Sequence, residues 1–224
     1  MMHKLKSVYK KYIFPTIYNF VGGGNKFVIK GKRNSIFHQG NYLKKCKISV
    51  FGNDNKILFV KCGRNRLIST NIYINGNNNE IVIGKNNVFI NGDIYIEDDN
   101  NKVVFGSGNS VCGYTHIAVI EGQSVTFGDG CLFSTDVTFR VGDSHSIMDN
   151  NTGNRINPSK SIKIGDRVWF GNKTTILKGV EIGNDSIIAT GSVVTKSFVD
   201  GNVIIAGNPG KIIKTDIKWT NKRL

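Results

Sequence analysis

At residues 162–194 the chain reads IKIGDRVWFGNKTTILKGVEIGNDSIIATGSVV, and this stretch decides the fold. Large apolar residues recur there at every sixth position: Ile164, Phe170, Ile176, Ile182, Ile188 and Val194. A helix requires apolar residues three and four positions apart, whereas a period of six is typical of a parallel β-solenoid. The sequence therefore predicts an all-β hexapeptide-repeat solenoid, in which each unit is one short strand and one turn.

The same period indicates which residues face solvent. Trp169 comes directly before a ladder position and is expected to point outward. An exposed tryptophan packs between coils, packs on another subunit, or lines a ligand groove. The sequence alone leaves these three uses open.

The repeat extends towards the N-terminus in a longer form. The segments EIVIG, KVVFG and SVTFG end at the evenly spaced Gly84, Gly106 and Gly128, so each coil there is three hexapeptides with turn residues added. We expect asparagines at the corners of these coils to ladder from coil to coil. Before residue 75 the pattern is looser, so irregular early coils are expected. Our predicted division is a basic segment or cap at 1–25, a β-helix at 26–200, and a C-terminal strand and tail at 201–224, with a short helix over 215–224.

One long interruption breaks the period. Residues 142–159 read GDSHSIMDNNTGNRINPS and are rich in Asp, Asn, Ser and Gly. Polar loops that leave a rigid scaffold commonly carry function. The interruption is therefore the predicted active-site loop.

Composition limits the class of protein. The 224 residues carry a formal charge of +14, which favours an anionic ligand, but no recognition helix or aromatic RNA-binding set accompanies it, so we expect no nucleic-acid partner. The four cysteines are widely spaced, which argues against a disulfide framework or a zinc site and favours a reducing compartment. Residues 1–21 are basic and then apolar, and we expect them to rest on a membrane surface or to cap the solenoid.

Four motifs give the chain a family resemblance. The segment from Asp143 to Asn157, IGDRVWFG at 164–171, IIATGSVVTK at 187–196 and AGNPGK at 206–211 resemble the bacterial hexapeptide-repeat acyltransferases. The similarity is greatest to the O-acetyltransferases of capsule, polysialic acid and O-antigen sugars. It implies a left-handed parallel β-helix, a homotrimer with active sites between subunits, and acetyl-CoA as the donor, with no metal.

The residues independently suit acetyl transfer to a sugar hydroxyl. Such a reaction needs a general base, and imidazole groups ordinarily titrate near neutral pH, so His145 in the interruption is the predicted base. Asp143 either orients that imidazole or caps a turn. A polar loop residue without a task remains the competing interpretation of His145.

The donor groove is expected along the last coils. The resemblance assigns Trp169 to its wall, with room beside Gly171 and backbone amides at Ala189, Thr190 and Gly191 for the pantetheine amides. The predicted contacts to the phosphates and adenine of CoA are Lys178, Lys196, Pro209 and Lys211. Each lysine is otherwise a solvated surface charge.

The acceptor site is predicted from four residues: Tyr114, His116, Arg155 and Asn157. Arginine and asparagine suit a sugar carboxylate or hydroxyls, and tyrosine suits a sugar ring, although loop structure explains them as well. The leading hypothesis is a cytoplasmic O-acetyltransferase, free or at the inner face of the membrane, that acts on a cell-surface polysaccharide or its precursor. Its rivals are an amino-sugar N-acetyltransferase of the same fold and a non-enzymatic binding scaffold, while the scattered histidines argue against a zinc enzyme.

Overall fold

The computed structural model describes residues 23–37, 40–60 and 63–222 of the 224-residue chain. In these ranges the ordered elements are 24 β-strands and no helix. The strands form three sheets, and from β1 to β22 the chain visits the sheets in a fixed rotation, one strand in each; β23 and β24 then both join the third sheet. The result is a parallel β-helix of triangular cross-section with about eight coils.

We call the three sheets A, B and C. Sheet A contains β1 (Lys26–Lys30), β4 (Lys47–Phe51), β7 (Asn71–Asn75), β10 (Gly92–Glu97), β13 (Thr115–Val119), β16 (Val137–Arg140), β19 (Thr175–Ile176) and β22 (Val193–Val194). Sheet B contains β2 (Ser35–Phe37), β5 (Lys56–Phe59), β8 (Glu80–Ile83), β11 (Lys102–Phe105), β14 (Ser124–Phe127), β17 (Ile162–Ile164) and β20 (Glu181–Ile182). Sheet C contains β3 (Tyr42–Lys44), β6 (Arg66–Ile68), β9 (Val88–Ile90), β12 (Ser110–Val111), β15 (Leu132–Phe133), β18 (Trp169–Phe170), β21 (Ile187–Ile188), β23 (Ile204–Ala206) and β24 (Lys211–Lys214).

The coil length changes along the axis. Strand β11 pairs with β14 by Val103 opposite Val125, whereas β18 pairs with β21 by Trp169 opposite Ile187. The second step equals three hexapeptides and the first is longer, which is why the six-residue period is clearest after Ile162. The strict six-residue ladder is thus the end of the solenoid where the coils are shortest.

Aromatic rings stack through the middle of the core. Phe105 stacks on Phe127 with centroids 4.5 Å apart, and Phe133 stacks on Phe170 at 4.9 Å. All four side chains are buried. Because parallel pairing puts equivalent inward positions one above another, each ring lies over the ring of the next coil.

Buried asparagines form the expected ladder at one corner. Asn79 Nδ2 donates to Asn55 Oδ1 over 3.1 Å, and Asn101 Nδ2 donates to Asn79 Oδ1 over the same distance. Neighbouring corner residues, such as Asn78 and Asn100, have positive φ angles of 54° and 63°. Asparagine tolerates this left-handed conformation, so the corners use it repeatedly.

Two expectations are wrong. The early coils are not irregular, because β1 pairs in parallel with β4, and β4 with β7, along the whole length of each strand. The step from Lys26 to Lys47 is shorter than the step from Lys47 to Asn71, and this change of coil length hid the regularity. The tail has no helix over 215–222; β24 instead turns back antiparallel to β23.

Some expectations lie outside the described residues or stay predictions. The proposed membrane or capping role of residues 1–21 falls on residues 1–22, which the structure does not describe. The division into a segment at 1–25, a β-helix at 26–200 and a tail at 201–224 stays a prediction. Within the described ranges, no helix is long and apolar enough to cross a bilayer.

Candidate active site

The predicted active-site loop, residues 142–159, projects from one corner of the triangular β-helix, which we call the prism. It connects β16 of sheet A to β17 of sheet B, so it projects where the chain passes from sheet A to sheet B, which we call corner AB. Corners BC and CA are named in the same way. Lys160 N donates to Val141 O over 2.9 Å and closes the neck of the loop. The hexapeptide scaffold therefore holds both ends of the loop at one level.

The loop is a small hairpin. Met148 and Arg155 form an antiparallel bridge, and Ile156 N donates to Ile147 O over 2.9 Å. At its tip the Asp149 carboxylate accepts from Thr152 N at 2.7 Å, and this bond holds the pKa of Asp149 below its ordinary value. An Asx-type turn at residues 149–152 therefore orders the tip of the loop, where the sequence pattern predicts only polar residues.

Asn157 fixes the backbone around His145. Its side chain is buried, 6% exposed for the whole residue. Its Nδ2 donates to His145 O over 2.8 Å, and its Oδ1 accepts from Ile147 N over 2.7 Å. The sequence predicts that Asn157 contacts the acceptor, but in the structure its amide binds the backbone of the loop.

Asp143 is held by two other residues of the corner. Its Oδ2 accepts from Lys178 Nζ and, over 2.8 Å, from Asn157 Nδ2. The ammonium of Lys178 lowers the pKa of Asp143, and the amide of Asn157 adds to this effect. Among the described residues, no hydrogen bond joins Asp143 to the imidazole of His145. Asp143 thus anchors the loop, and Lys178, predicted to meet a CoA phosphate, supplies the anchor's positive charge.

A second ion pair holds the returning strand of the hairpin. Arg155 Nη2 donates to Glu121 Oε1 over 2.7 Å, and Ser159 N donates to Glu121 Oε2 over 3.2 Å. The guanidinium lowers the pKa of Glu121. Arg155, predicted to hold a sugar carboxylate, is therefore engaged with a carboxylate of the chain itself.

His145 itself is exposed on the corner. Its imidazole makes no hydrogen bond to any residue in the described ranges. Three apolar side chains of the same hairpin are also exposed: Ile147, Met148 and Ile156. The corner therefore presents a histidine with free ring nitrogens beside apolar surface.

Trp169 lies on the far side of the prism. It is 36% exposed on the outer face of sheet C, the one sheet that does not meet corner AB. The strand registers stack it in an outward apolar column that also contains Leu132, Ile187 and Ile204. An apolar wall of this kind fits the hydrocarbon part of a pantetheine arm.

The C-terminal tail covers part of this column. The ring of Trp219 lies 6.0 Å from the ring of Trp169, and Trp219 Nε1 donates to Arg167 O over 2.7 Å. The Arg167 guanidinium lies 5.1 Å from the Trp219 ring and donates to Trp219 O over 2.9 Å. Sequence reasoning missed Trp219, although a lone tryptophan in a polar tail was a usable signal.

Packing and backbone hydrogen bonds explain the small residues at corner CA. A Cβ on Gly171 would lie 2.7 Å from Thr190 N, so the next coil fills the space predicted to receive a ligand. The amides of Ala189 and Gly191 already donate to Ile205 O and Asn172 O, each over 2.8 Å. Of these three predicted amide donors, Thr190 N is the one without an acceptor in the described ranges, and the side chain of Thr190 is exposed.

The remaining donor-site residues divide between two corners. Lys196 lies at corner AB with its ammonium 5.6 Å from the Phe198 ring. Pro209 and Lys211 are exposed near corner CA, where Val193 N donates to Gly207 O over 3.0 Å. Pro209 and Lys211 therefore share a corner with Thr190, and Lys196 shares one with His145.

His116 and Tyr114 meet at a polar cluster near corner CA. His116 Nδ1 and Asp93 Oδ2 are 2.8 Å apart, and the Tyr114 hydroxyl lies 3.5 Å from the same oxygen. Asn71 Nδ2 donates to Asp93 Oδ1 over 2.7 Å. The hydrogen bond with His116 lowers the pKa of Asp93, while burial and Asp93 raise the pKa of Tyr114. Asp93 was missed because it lies one full coil before His116, the residue it pairs with across the sheet.

The described residues show neither a disulfide nor a metal-binding cluster. Cys46, Cys112 and Cys131 are free thiols, and burial raises the pKa of Cys131 to about 12. The described ranges contain no group of three His, Cys, Asp or Glu side chains that could hold a metal.

Comparisons with known proteins agree with this architecture. The family profile described as "Bacterial transferase hexapeptide (six repeats)" matches residues 161–196. The chain is 32% identical over 177 residues to the polysialic acid O-acetyltransferase of Neisseria meningitidis, a match that covers 79% of this chain and 80% of the relative. It is also 38% identical over 101 residues to the polysialic acid O-acetyltransferase of Escherichia coli O1:K1, covering 45% of this chain but only 33% of that protein's length.

A solved structure shares the fold over most of its length. The polysialic acid O-acetyltransferase OatWY superposes with a TM-score of 0.83 at 28% identity, covering 88% of this chain and 92% of that one. The predicted fold class, a left-handed parallel β-helix of hexapeptide repeats, is confirmed.

Proposed function

This chain belongs to the bacterial hexapeptide-repeat acetyltransferases, and we propose that it transfers an acetyl group from acetyl-CoA to a hydroxyl of a cell-surface polysaccharide or its precursor. The observation that carries the proposal is the anchored hairpin at corner AB. It presents an exposed histidine whose own carbonyl, together with the N–H of Ile147 two residues later, is bound by the buried amide of Asn157. A catalytic base needs this combination of fixed position and free ring nitrogens.

In the proposed reaction His145 acts as a general base. It takes the proton of the acceptor hydroxyl while that oxygen attacks the thioester carbonyl carbon. The tetrahedral intermediate collapses with cleavage of the carbon–sulfur bond, and the imidazolium returns the proton to the CoA thiolate. No covalent acyl-enzyme is needed, so the acetyl group passes directly from sulfur to oxygen.

The donor is proposed to lie against sheet C. Trp169 and its apolar column would contact the pantetheine arm, with Trp219 covering one end. Thr190, Pro209 and Lys211 lie near the same corner and are the proposed contacts for the rest of CoA. Lys178 is less suited to a phosphate, because Asp143 already neutralises its charge.

A complete site is proposed to form between subunits of a homotrimer. Corner AB and the outer face of sheet C lie on opposite sides of one prism, so a single chain does not bring His145 to Trp169. The hairpin has an exposed apolar surface that a neighbouring subunit can contact, formed by Ile147, Met148 and Ile156. The free thiols support a reducing, cytoplasmic location.

The acceptor is proposed to contact the cluster of Asp93, Tyr114 and His116. The pair between His116 and Asp93 leaves the other ring nitrogen of His116 for a sugar group, and Tyr114 is exposed beside it. These side chains lie on the same side of the prism as the proposed donor corner.

Two measurements test the function. Isothermal titration with acetyl-CoA is expected to give saturable binding, and its absence at millimolar concentration would refute the enzyme proposal. Acetyl transfer to sugars with and without free amines is expected to give an alkali-labile ester. An alkali-stable product formed only on amines would instead identify an amino-sugar N-acetyltransferase.

A further inference from the structure

The net positive charge of the chain belongs to the first third of its sequence. Residues 1–79 contain 15 of the 30 Lys and Arg but only one of the 16 Asp and Glu, so their net charge is +14. Residues 80–224 hold the remaining Lys and Arg and an equal number of Asp and Glu, so their net charge is zero. The first described coil, at 23–45, contains no Asp or Glu and six basic residues: Lys26, Lys30, Lys32, Arg33, Lys44 and Lys45. The entire net charge of the protein therefore belongs to its N-terminal part.

In the described part of this region, most of the basic side chains have no ion-pair partner among the described residues. Asp54, the single carboxylate in residues 1–79, pairs with Arg33 at 2.5 Å. The other described ion pairs all lie beyond residue 79. The lysines of the first coil are exposed, so their charge faces the surroundings.

Exposed apolar side chains accompany the lysines on all three sides of the same coil. Ile29 on β1 is 44% exposed, Phe37 on β2 is 46% exposed and Tyr42 on β3 is 50% exposed. Ile29 pairs with the buried Val50 and faces inward, so its exposure marks the end of the core. Phe37 and Tyr42 pair with the exposed Leu58 and Arg66 and face outward.

We propose that this basic end of the solenoid, residues 23–37 and 40–45, docks on an anionic lipid surface. The strands β1, β2 and β3 are the end strands of their sheets and lie at one level along the axis. Their lysines and apolar side chains can therefore meet a plane together. Basic residues interleaved with aromatic and aliphatic ones are the composition that binds an anionic membrane interface.

The distribution of acidic residues argues against an anionic polymer as the main partner. Residues 80–136 carry eight Asp and Glu against two Lys, and these carboxylates lie at all three corners of the middle coils. A polyanion that extended from the basic end to His145 would have to cross this acidic band. A membrane touches only the end, and the middle coils stand roughly 14 Å away from it, beyond the Debye length at physiological salt.

Protection of the strand edges explains only part of the pattern. Lysines on an edge prevent unwanted pairing with other chains. That role predicts polar neighbours, whereas Phe37 and Tyr42 expose aromatic rings beside the lysines. Contact with a lipid interface accounts for both residue types.

The test is sedimentation of the full-length protein with vesicles. We expect binding to mixed phosphatidylcholine and phosphatidylglycerol vesicles, weakening with salt, and none to phosphatidylcholine alone. The triple variant K26E/K30E/K44E is expected to lower the partition coefficient roughly 100-fold. Tyr42→Ser is expected to weaken binding without changing its salt dependence.

Matched controls keep the result interpretable. The variant K214E/K218E/K222E makes the same charge change at the other end and is expected to alter binding only a few-fold. Melting by circular dichroism and acetyl transfer to a soluble acceptor report that each variant is folded. The proposal is overturned if no vesicle is bound, if both triple variants lose binding equally, or if a soluble anionic polysaccharide is bound while vesicles are not. It is also overturned if only substitution of Lys4, Lys6, Lys10 and Lys11 removes binding.

Discussion

At the scale of single residues, His145 has a fixed backbone and a free side chain. The amide of Asn157 binds the carbonyl of His145 and the N–H of Ile147, while the imidazole itself remains exposed. A base held in this way loses little entropy on meeting a substrate, because its backbone is already ordered.

His145→Ala should leave a folded protein with greatly reduced activity. We expect the rate of acetyl transfer to fall by about 10² to 10⁴, the usual contribution of a general base, with acetyl-CoA binding little changed. Steady-state kinetics and isothermal titration measure the two quantities. Ser146→Ala, on the exposed neighbouring residue, is the control. Near-normal turnover in the histidine variant would exclude His145 as the base.

The pair between Asp143 and Lys178 predicts a loop that loosens in acid. The folded-state pKa of Asp143 is lowered from an ordinary 3.8, so the pair stabilises the folded loop fully above that value. The stabilisation is lost as the pH falls below 3.8 and through the lowered pKa. Hydrogen exchange of residues 143–157, corrected for intrinsic rates, should therefore quicken in that window.

Asp143→Asn supplies the comparison for this pH effect. The variant removes the titrating carboxylate but keeps its size, so its loop should exchange faster already at neutral pH and change less with acid. An equal acid response in both proteins would assign the effect to other groups, such as Glu121, whose pKa is also lowered.

At the scale of elements, the C-terminal tail completes a wall that begins on β18. Trp219 packs on Trp169 and is fixed to Arg167 by two hydrogen bonds and a cation–π contact. The contacts of Trp219 thus join the C-terminal tail to the proposed donor groove.

Trp219→Ala should weaken acetyl-CoA binding. An aromatic contact contributes about 0.5–1.5 kcal/mol, which corresponds to roughly a two- to ten-fold change in affinity. Titration calorimetry measures the change, and Trp219→Phe, which keeps a ring, should recover part of it. If the alanine variant binds acetyl-CoA normally and loses only thermal stability, the tail serves the fold alone.

At the scale of the whole molecule, the prism separates the two halves of the proposed site. The hairpin is at corner AB, and the column containing Trp169 is on sheet C, which faces away from that corner. In the proposed trimer, a neighbouring subunit supplies Trp169 to the His145 of the first subunit. Variants of these two residues should therefore complement each other.

Two inactive variants should restore activity to each other. His145→Ala removes the base, and Trp169→Glu places a carboxylate in the proposed apolar donor wall, so each variant alone should be inactive. Coexpressed in equal amounts, the two chains should form mixed trimers in which about a quarter of the interfaces combine an intact His145 with an intact Trp169. Activity per chain should recover to about that fraction, and size-exclusion chromatography with light scattering should give the mass of three chains. If coexpression restores nothing while each variant folds and assembles, the site does not combine these residues across subunits.

Much of the architecture can be predicted from the sequence. The six-residue ladder from Ile164 to Val194 predicted the solenoid, because stacked parallel strands repeat the same inward position in every coil. The break at 142–159 and the outward phase of Trp169 followed from the same period. The early coils escaped detection because their length changes from one coil to the next, so no single period describes them.

Tertiary structure alone decided how the polar residues are used. Asn157, Arg155 and Lys178 had the right chemistry for ligands, but folding joins them to the loop, Glu121 and Asp143. Asp93 reaches His116 from the preceding coil, and Trp219 reaches Trp169 from the tail. Periodicity reports which way a side chain points relative to its own strand, whereas the partner it meets depends on coil length and on where the chain turns back. The sequence by itself therefore determined the scaffold, and only the folded coils determined which polar groups are already paired and which, like His145, remain free to react.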